Sequence, residues 1–217
     1  LETHTIMLKR IALVFVLSAL GIQATQSNPH LDSLKAILST KAHDTVIYQV
    51  LDGLASAYSD SAQNQSIYYW RQALEIVRKR RDRPKVAYVY SRIGQMLLER
   101  GELEESLEEY KNALSMYQYL DDHKGMGISN NDIGLVYRTW GRYDEALEHY
   151  LKALANFQSI NLEEGVGIAS NNLGQIYFYR DDYDKAIQIF LRYLNTSKKN
   201  NNLRAVAGAS NNIAATH

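Results

Sequence analysis

The run Gly134-Leu-Val-Tyr137, continued through Gly141-Arg-Tyr-Asp-Glu-Ala146 to Tyr150 and Ala153, repeats when the chain is shifted by 40 residues. The forward shift lands on Gly174, Tyr177, Ala186, Phe190 and Tyr193; the backward shift lands on Gly94, Leu97, Ser106, Tyr110 and Ala113. A further step forward puts Ala214 in the glycine slot. A further step back finds Trp70 and Ala73 in register, with Ala55 and Tyr58 displaced by one residue, as if a turn had lost one. A period of this length marks a stacked-repeat architecture, because one unit is too small to bury its apolar face alone and must lean on its neighbours.

Each unit reads as two antiparallel helices. In the third copy helix A is expected over about Lys124 to Thr139 and helix B over about Tyr143 to Ser159. Gly141 falls where A must turn into B, and a glycine reaches the left-handed backbone that ends a helix without a Cβ clash. Gly101 and Asp181 hold the same slot in the flanking copies. Acidic residues open helix B (Glu104, Glu105, Asp144, Glu145, Asp184) and basic residues close it (Arg78 to Arg81, Lys198, Lys199), as the helix dipole favours. Gly94, Gly134 and Gly174 lie inside helix A, where glycine costs about 1 kcal/mol relative to alanine. They predict a close crossing by helix B, with Ala146, Ala186 and Ser106 as the matching small surfaces. Tyr110, Tyr137, Tyr150, Tyr177 and Phe190 are then expected to fill the space between pairs.

In the first pair, Val46, Ile47, Val50, Leu51, Leu54 and Tyr58 are expected to face a helix running from about Gln63 to Arg80. That partner would turn Ile67, Trp70, Ala73, Leu74 and Val77 inward. The units run over about 44–82, 83–122, 123–162 and 163–202, with a truncated fifth over 203–217, whose lack of a helix B predicts that the natural protein continues. Upstream, Pro29-His-Leu-Asp-Ser33 reads as the entry to a helix within 28–43 that caps the array, with Leu31, Leu34, Ile37 and Leu38 on one face.

Met7-Leu-Lys-Arg10, the apolar run Ile11 to Leu20, and Gly21 to Ala24 have the form of a secretory signal peptide over 1–24, cut after Gly21 or Ala24. An uncleaved anchor or a buried helix is the alternative. The expected location is extracytoplasmic. The chain has no cysteine, so a disulfide framework, a thiolate metal site and a catalytic thiol are excluded. Equal numbers of acidic and basic residues, 24 of each, give no general attraction to nucleic acid or anionic membrane. The densest basic run, Arg78 to Arg81 with Arg83 and Lys85, lacks interleaved aromatics and reads as a solvated helix end, drawn across the surface to the acidic stretch from Glu99 to Glu109.

Leu173-Gly174-Gln-Ile-Tyr177, then Ala186 and Phe190, is similar to the tetratricopeptide repeat signature. The resemblance covers residues 45 to 217 and implies an all-α fold, a right-handed α-solenoid of antiparallel helix pairs. Two departures stand out: a period of 40 residues rather than the usual ~34, and Gln118, Gln158 and Lys198 near the slot of the usual closing proline. A looser resemblance links the leader and residues 31–45 to exported repeat regions of bacterial sensor kinases and regulators.

The slot three residues before the repeat glycine holds Ser91, Asn131, Asn171 and Asn211, and the next holds Arg92, Asp132, Asn172 and Asn212. Asparagine is a poor residue in mid-helix because it competes for backbone hydrogen bonds, so its recurrence asks for a reason. In the family this face of helix A lines a concave groove that holds peptides. The resemblance therefore implies a groove built from Asn131, Asn171 and Asn211 with Gln95, Leu98, Leu135, Arg138, Gln175 and Phe178. An asparagine ladder joining neighbouring helices is the structural alternative. The lysine of the family's best-known carboxylate pocket has no counterpart, so that activity does not carry over. His30, His43, His123, His149 and His217 show no metal-ligand spacing, no serine sits in a Gly-x-Ser-x-Gly run, and no phosphate-binding glycine loop occurs. The expectation is a binding protein for a protein or peptide, with no cofactor, no metal, no catalysis, no nucleic acid and no membrane contact by the repeats. Its rivals are the sensing region of a membrane-bound histidine kinase or transcriptional regulator, and a passive scaffold.

Overall fold

The computed structural model describes residues 29–40, 42–199 and 202–216; the expected leader and His217 lie outside them. The described residues form ten helices and no strand. The helix α1, Pro29–Leu38, belongs to a separate compact unit ending at His43. The second unit begins at Asp44 and carries α2 (Asp44–Ala57), α3 (Gln63–Lys79), α4 (Arg83–Glu99), α5 (Leu103–Tyr119) and α6 (His123–Thr139). It continues with α7 (Tyr143–Ser159), α8 (Glu163–Tyr179), α9 (Tyr183–Lys199) and α10 (Leu203–Thr216). Helices α2, α4, α6, α8 and α10 are the A helices, and α3, α5, α7 and α9 the B helices. Among the described residues no helix is long and apolar enough to cross a membrane.

Seven successive helices, α3 to α9, are each 17 residues long. Two of them, each followed by a three-residue turn, make up the 40-residue period. The turns share one geometry. The last helical carbonyls are closed by a backbone bond spanning five residues, as in Glu102 N–H to Leu97 O at 2.9 Å and Arg142 N–H to Tyr137 O at 2.9 Å. The middle turn residue is left-handed: Gly101 at φ 78° and Gly141 at φ 76° take the place the sequence assigns them, and Asp181 stands at φ 59°. The turns from B back to A use the same geometry without a glycine, at Arg81, Asp121 and Asn161, with φ of 56°, 54° and 52°. Arginine gains nothing locally in that region, where a Cβ costs roughly 1–2 kcal/mol. Arg81→Gly is expected to raise stability by about 0.5–1 kcal/mol after the added freedom of the unfolded chain is subtracted. An unchanged urea midpoint would show that the turn is not strained.

Side chains cap several of these turns. Asp122 accepts from Gly125 N–H at 2.9 Å and Asp82 from Lys85 N–H at 3.3 Å, meeting donors that open helices leave unpaired. The Asp82 carboxylate also binds the Lys85 ammonium at 2.7 Å, and this contact holds its pKa below the ordinary range.

The interior of the helix pairs differs from the small-on-small crossing the sequence suggests. A Cβ on Gly94, Gly134 or Gly174 would meet the ring of Tyr110, Tyr150 or Phe190 at 3.1, 2.7 and 2.3 Å. The glycine is there to seat an aromatic ring of the same pair. Two of these rings also reach the next unit: Tyr110 and Tyr150, with Ala146, share one buried cluster with Ile133, Val136, Leu173 and Ile176. The small slot meets the A helix as a hydrogen bond in two copies, from Ser106 Oγ to Gly94 O and from Ser66 Oγ to Ala55 O, both at 2.7 Å. The same bond spans twelve residues in the second unit and eleven in the first, so one residue fewer separates the two slots in the first pair, although its turn over 58–62 is five residues long.

Around Trp70, Ile67, Ala73, Leu74 and Val77 are buried as expected. Val46 is not, at 40% exposed; Tyr48 turns inward in its place. The basic run and the acidic stretch do not pair as expected. Lys85 binds Asp82, the Arg83 guanidinium lies 4.2 Å over the Tyr119 ring, and Glu109 pairs with Arg71 at 3.2 Å.

Candidate functional site

Neighbouring A helices touch directly, α6 with α8 and α8 with α10, while each B helix packs on the A helices before and after it. The A helices therefore lie on the inner side of the stack, and their outward residues form one continuous face. On α6 that face carries Ile128, Asn131, Asp132, Leu135 and Arg138, while Gly127, Ser129, Asn130, Ile133, Gly134, Val136 and Tyr137 are buried. On α8 it carries Ile168, Asn171, Asn172, Gln175 and Phe178, and on α4 Tyr88, Ser91, Arg92, Gln95 and Leu98.

The asparagines pair across this face. Asn172 Nδ2 donates to Asn131 Oδ1 at 2.8 Å, and Asn212 Nδ2 donates to Asn171 Oδ1 at 2.6 Å. Each rung joins one A helix to the next, and Arg138 on α6 donates to Gln175 Oε1 on α8 alongside. The register is offset by one from the repeat: Asn171 takes Asn212, and Asn211 is exposed beside it. Gln95 accepts from Arg92 at 2.5 Å and donates to Glu99 at 2.9 Å within α4. Leu98 packs on the Tyr110 cluster, and Leu135 is half-buried. Phe178 meets the edges of Tyr179 and Tyr183, and Tyr143 stacks on Tyr179 at 5.6 Å, so an aromatic group closes one end of α8.

Three positions on this face escape a search for polar oddities. Tyr88, Ile128 and Ile168 lie three residues before the Ser91, Asn131 and Asn171 slot, on the same side of each helix. They are 41%, 40% and 45% exposed. Their 40-residue spacing was the available signal. Near Ile168 the face deepens into a cleft of about 790 Å³, lined also by Gly167 and Asn171 of α8, Leu154 of α7 and Arg192 and Tyr193 of α9.

The rungs change character along the array. Burial raises the Asp52 carboxyl, partly opposed by the Arg92 guanidinium on the next A helix, α4. Asp132 is half-buried by surface area but ringed by protein, and this desolvation pushes its carboxyl up to about 7 against the one hydrogen bond it receives from Asn131. His149 is half-buried, and desolvation lowers its pKa; its ring stacks on Tyr137 and its Nδ1 lies 3.0 Å from Asn130 Oδ1. Among the described residues no three histidine or acidic side chains gather where they could hold a metal ion.

A tetratricopeptide repeat family model matches residues 85–159 and again 125–199, together more than half of the chain. The chain belongs to the tetratricopeptide repeat family. Among solved structures, this tetratricopeptide array is similar to the aspartyl phosphate phosphatase F of Bacillus subtilis, with 19% identity and a TM-score of 0.75 over 82% of this chain and 46% of that one. A signal transduction ATPase with numerous domains and a tetratricopeptide repeat sensor, from Pyrococcus horikoshii, matches with 19% identity and a TM-score of 0.74 over 84% of this chain and 28% of that one. BtubC from P. vanneervenii matches with 19% identity and a TM-score of 0.64 over 85% of this chain and 81% of that one. At these identities the likeness is one of fold, and the chain spans about half the length of the first of these or less of the second. No curated protein matches the chain.

Proposed function

We propose that the tetratricopeptide array is a peptide-binding scaffold that seats a segment of a partner protein along the face of its A helices. One observation carries this reading: Tyr88, Ile128 and Ile168 leave an apolar stripe open to solvent beside a run of amide rungs that fixes the spacing of the A helices. A surface held in place by its own rungs loses little entropy on binding, and exposed apolar positions in register give a partner side chain somewhere to go. The groove residues are Gln95, Leu98, Asn131, Leu135, Arg138, Asn171, Gln175, Phe178 and Asn211, joined by the stripe. The amides serve both roles, since an asparagine with one oxygen committed to a rung keeps donors to offer.

The test uses a random-peptide library panned on the immobilised chain, with the affinity of the enriched peptides read by fluorescence anisotropy. Ile128→Asp and Phe178→Ala are each expected to weaken binding at least tenfold while helicity by circular dichroism stays unchanged. Full affinity in both variants would reject this face as the site.

Export is proposed on the leader-like run from Met7 to Ala24 alone. Fusing residues 1–27 ahead of alkaline phosphatase, which is active only after export, is expected to give active enzyme in bacteria; an inactive cytoplasmic fusion would refute it. The reading as a sensing region draws on the tetratricopeptide repeat sensor named for the Pyrococcus horikoshii protein, where the matched part is 28% of a longer chain.

A further inference from the structure

We propose that Asp132 anchors a basic side chain, lysine or arginine, of the peptide bound on the A-helix face. The inference rests on the groove reading above and adds the chemistry of one contact. The sister positions supply the argument. Asn172 and Asn212 occupy the slot of Asp132 in the next two units, and each completes a rung to the preceding A helix as a neutral donor. The counterpart that Asp132 would meet on α4 is Ser91, whose buried hydroxyl faces the Tyr117 phenol and makes no bond to Asp132. A carboxylate placed here completes no rung, and an asparagine would serve the fold with no charge to desolvate.

The groups around Asp132 do not supply the missing positive charge. Tyr110 and Tyr117 of α5 and Tyr150 of α7 feel its charge, and all three stay neutral because burial raises their own pKa values. Arg92 of α4 donates to Gln95 and lies over the Trp70 ring, and Arg138 of α6 donates to Gln175. Asn131 is the one group whose hydrogen bond favours the ionised form, and among the described residues no cation offsets the burial. Buried carboxylates are ordinarily paired, so the unmet demand is for a single cation. Asp132 also lies four residues after Ile128 and three before Leu135, on the side of α6 that a peptide following the apolar stripe would cross.

The sign of the pH dependence follows. The folded-state pKa is raised above the ordinary carboxylate value, so the stability associated with Asp132 is fully present below about pH 4 and is lost as pH rises through about 7. A bound ammonium or guanidinium favours the ionised form, so affinity for a basic peptide should climb over the same interval.

The random-peptide panning described above tests the proposal. The full chain is expected to enrich peptides with lysine or arginine at one fixed position. Asp132→Asn should cut their affinity at least tenfold, abolish its rise between pH 5.5 and 8, and leave the chain as stable as the wild type or more so. Replacing the basic peptide residue by alanine should weaken binding to the wild type by a similar factor and leave binding to Asp132→Asn unchanged. Unchanged affinity in Asp132→Asn, or enriched peptides without a basic residue, overturns the anchor. If Ile128→Asp still abolishes binding in that case, the groove stands and the anchor alone falls. A library that yields no binder overturns both.

Discussion

Phe157→Ala is expected to destabilise the array by about 3–5 kcal/mol, among the largest losses available from a single truncation in this chain. The ring is 3% exposed and serves two A helices at once. A Cβ placed on Gly127 of α6 or on Gly165 of α8 would come within 2.5 Å of it. Phe157 therefore sits between its own pair and the next, closed in by Ala153 and Ala169 with Leu154, Leu162 and Val166 around them. Removing the ring leaves a void against two backbones that have no side chain with which to fill it, so the site has little means of collapsing. A repeat array is stabilised mainly by contacts between neighbours, and a broken interface can split one transition into two. Urea unfolding should show a lower midpoint together with a shallower slope. Hydrogen exchange should accelerate in α8 to α10 more than in α3 to α5. A loss below about 1 kcal/mol, or protection that falls evenly along the chain, would mean that the ring is not the joint between units.

Phe157 also marks where sequence reading stopped. The shift by 40 residues located α7 to the residue, because α3 to α9 repeat the same helix length with three-residue turns between them. Gly101 and Gly141 announced their turns because glycine is cheap at positive φ. Arg81, Asp121 and Asn161 occupy the same geometry unannounced, and a shift by 20 residues would have exposed them. What spacing could not decide was which partner each helix glycine serves, since Ala146 and Tyr150 lie one turn apart on the same face of α7 and either satisfies the pattern. The face of the A helices was legible in outline for a similar reason. The asparagine slot recurs in the sequence, but the offset that joins Asn171 to Asn212 depends on how far one A helix slides against the next. Tyr88, Ile128 and Ile168 were passed over because an apolar residue in an A helix looks like core until its exposure is known.

The second large effect separates packing from helix propensity. Gly174→Ala and Gly208→Ala make the same chemical change, each inside an A helix, and each gains about 1 kcal/mol of helix propensity. Around Gly208, among the described residues, no atom outside its own helix backbone lies within 4 Å of the added methyl, so the gain should survive and stability should rise by about 0.5–1 kcal/mol. At Gly174 the methyl would stand 2.3 Å from Phe190 Cε1. Phe190 is 1% exposed, so its ring has no free space in which to retreat, and the helices must part instead. Overpacking of this kind costs typically about 1–3 kcal/mol and occasionally more. The contact is short enough to place this site at the upper end, for a net loss of about 1–2 kcal/mol once the propensity gain is subtracted. Gly125 provides the intermediate case: its methyl would meet Tyr117 at 2.2 Å, but Tyr117 is half-buried and can swing aside, so that variant should lie between the other two. Thermal midpoints in the order Gly208→Ala, Gly125→Ala, Gly174→Ala would establish that the repeat glycine is retained for the ring it faces. A stabilised Gly174→Ala would show that helix propensity outweighs ring packing at that position.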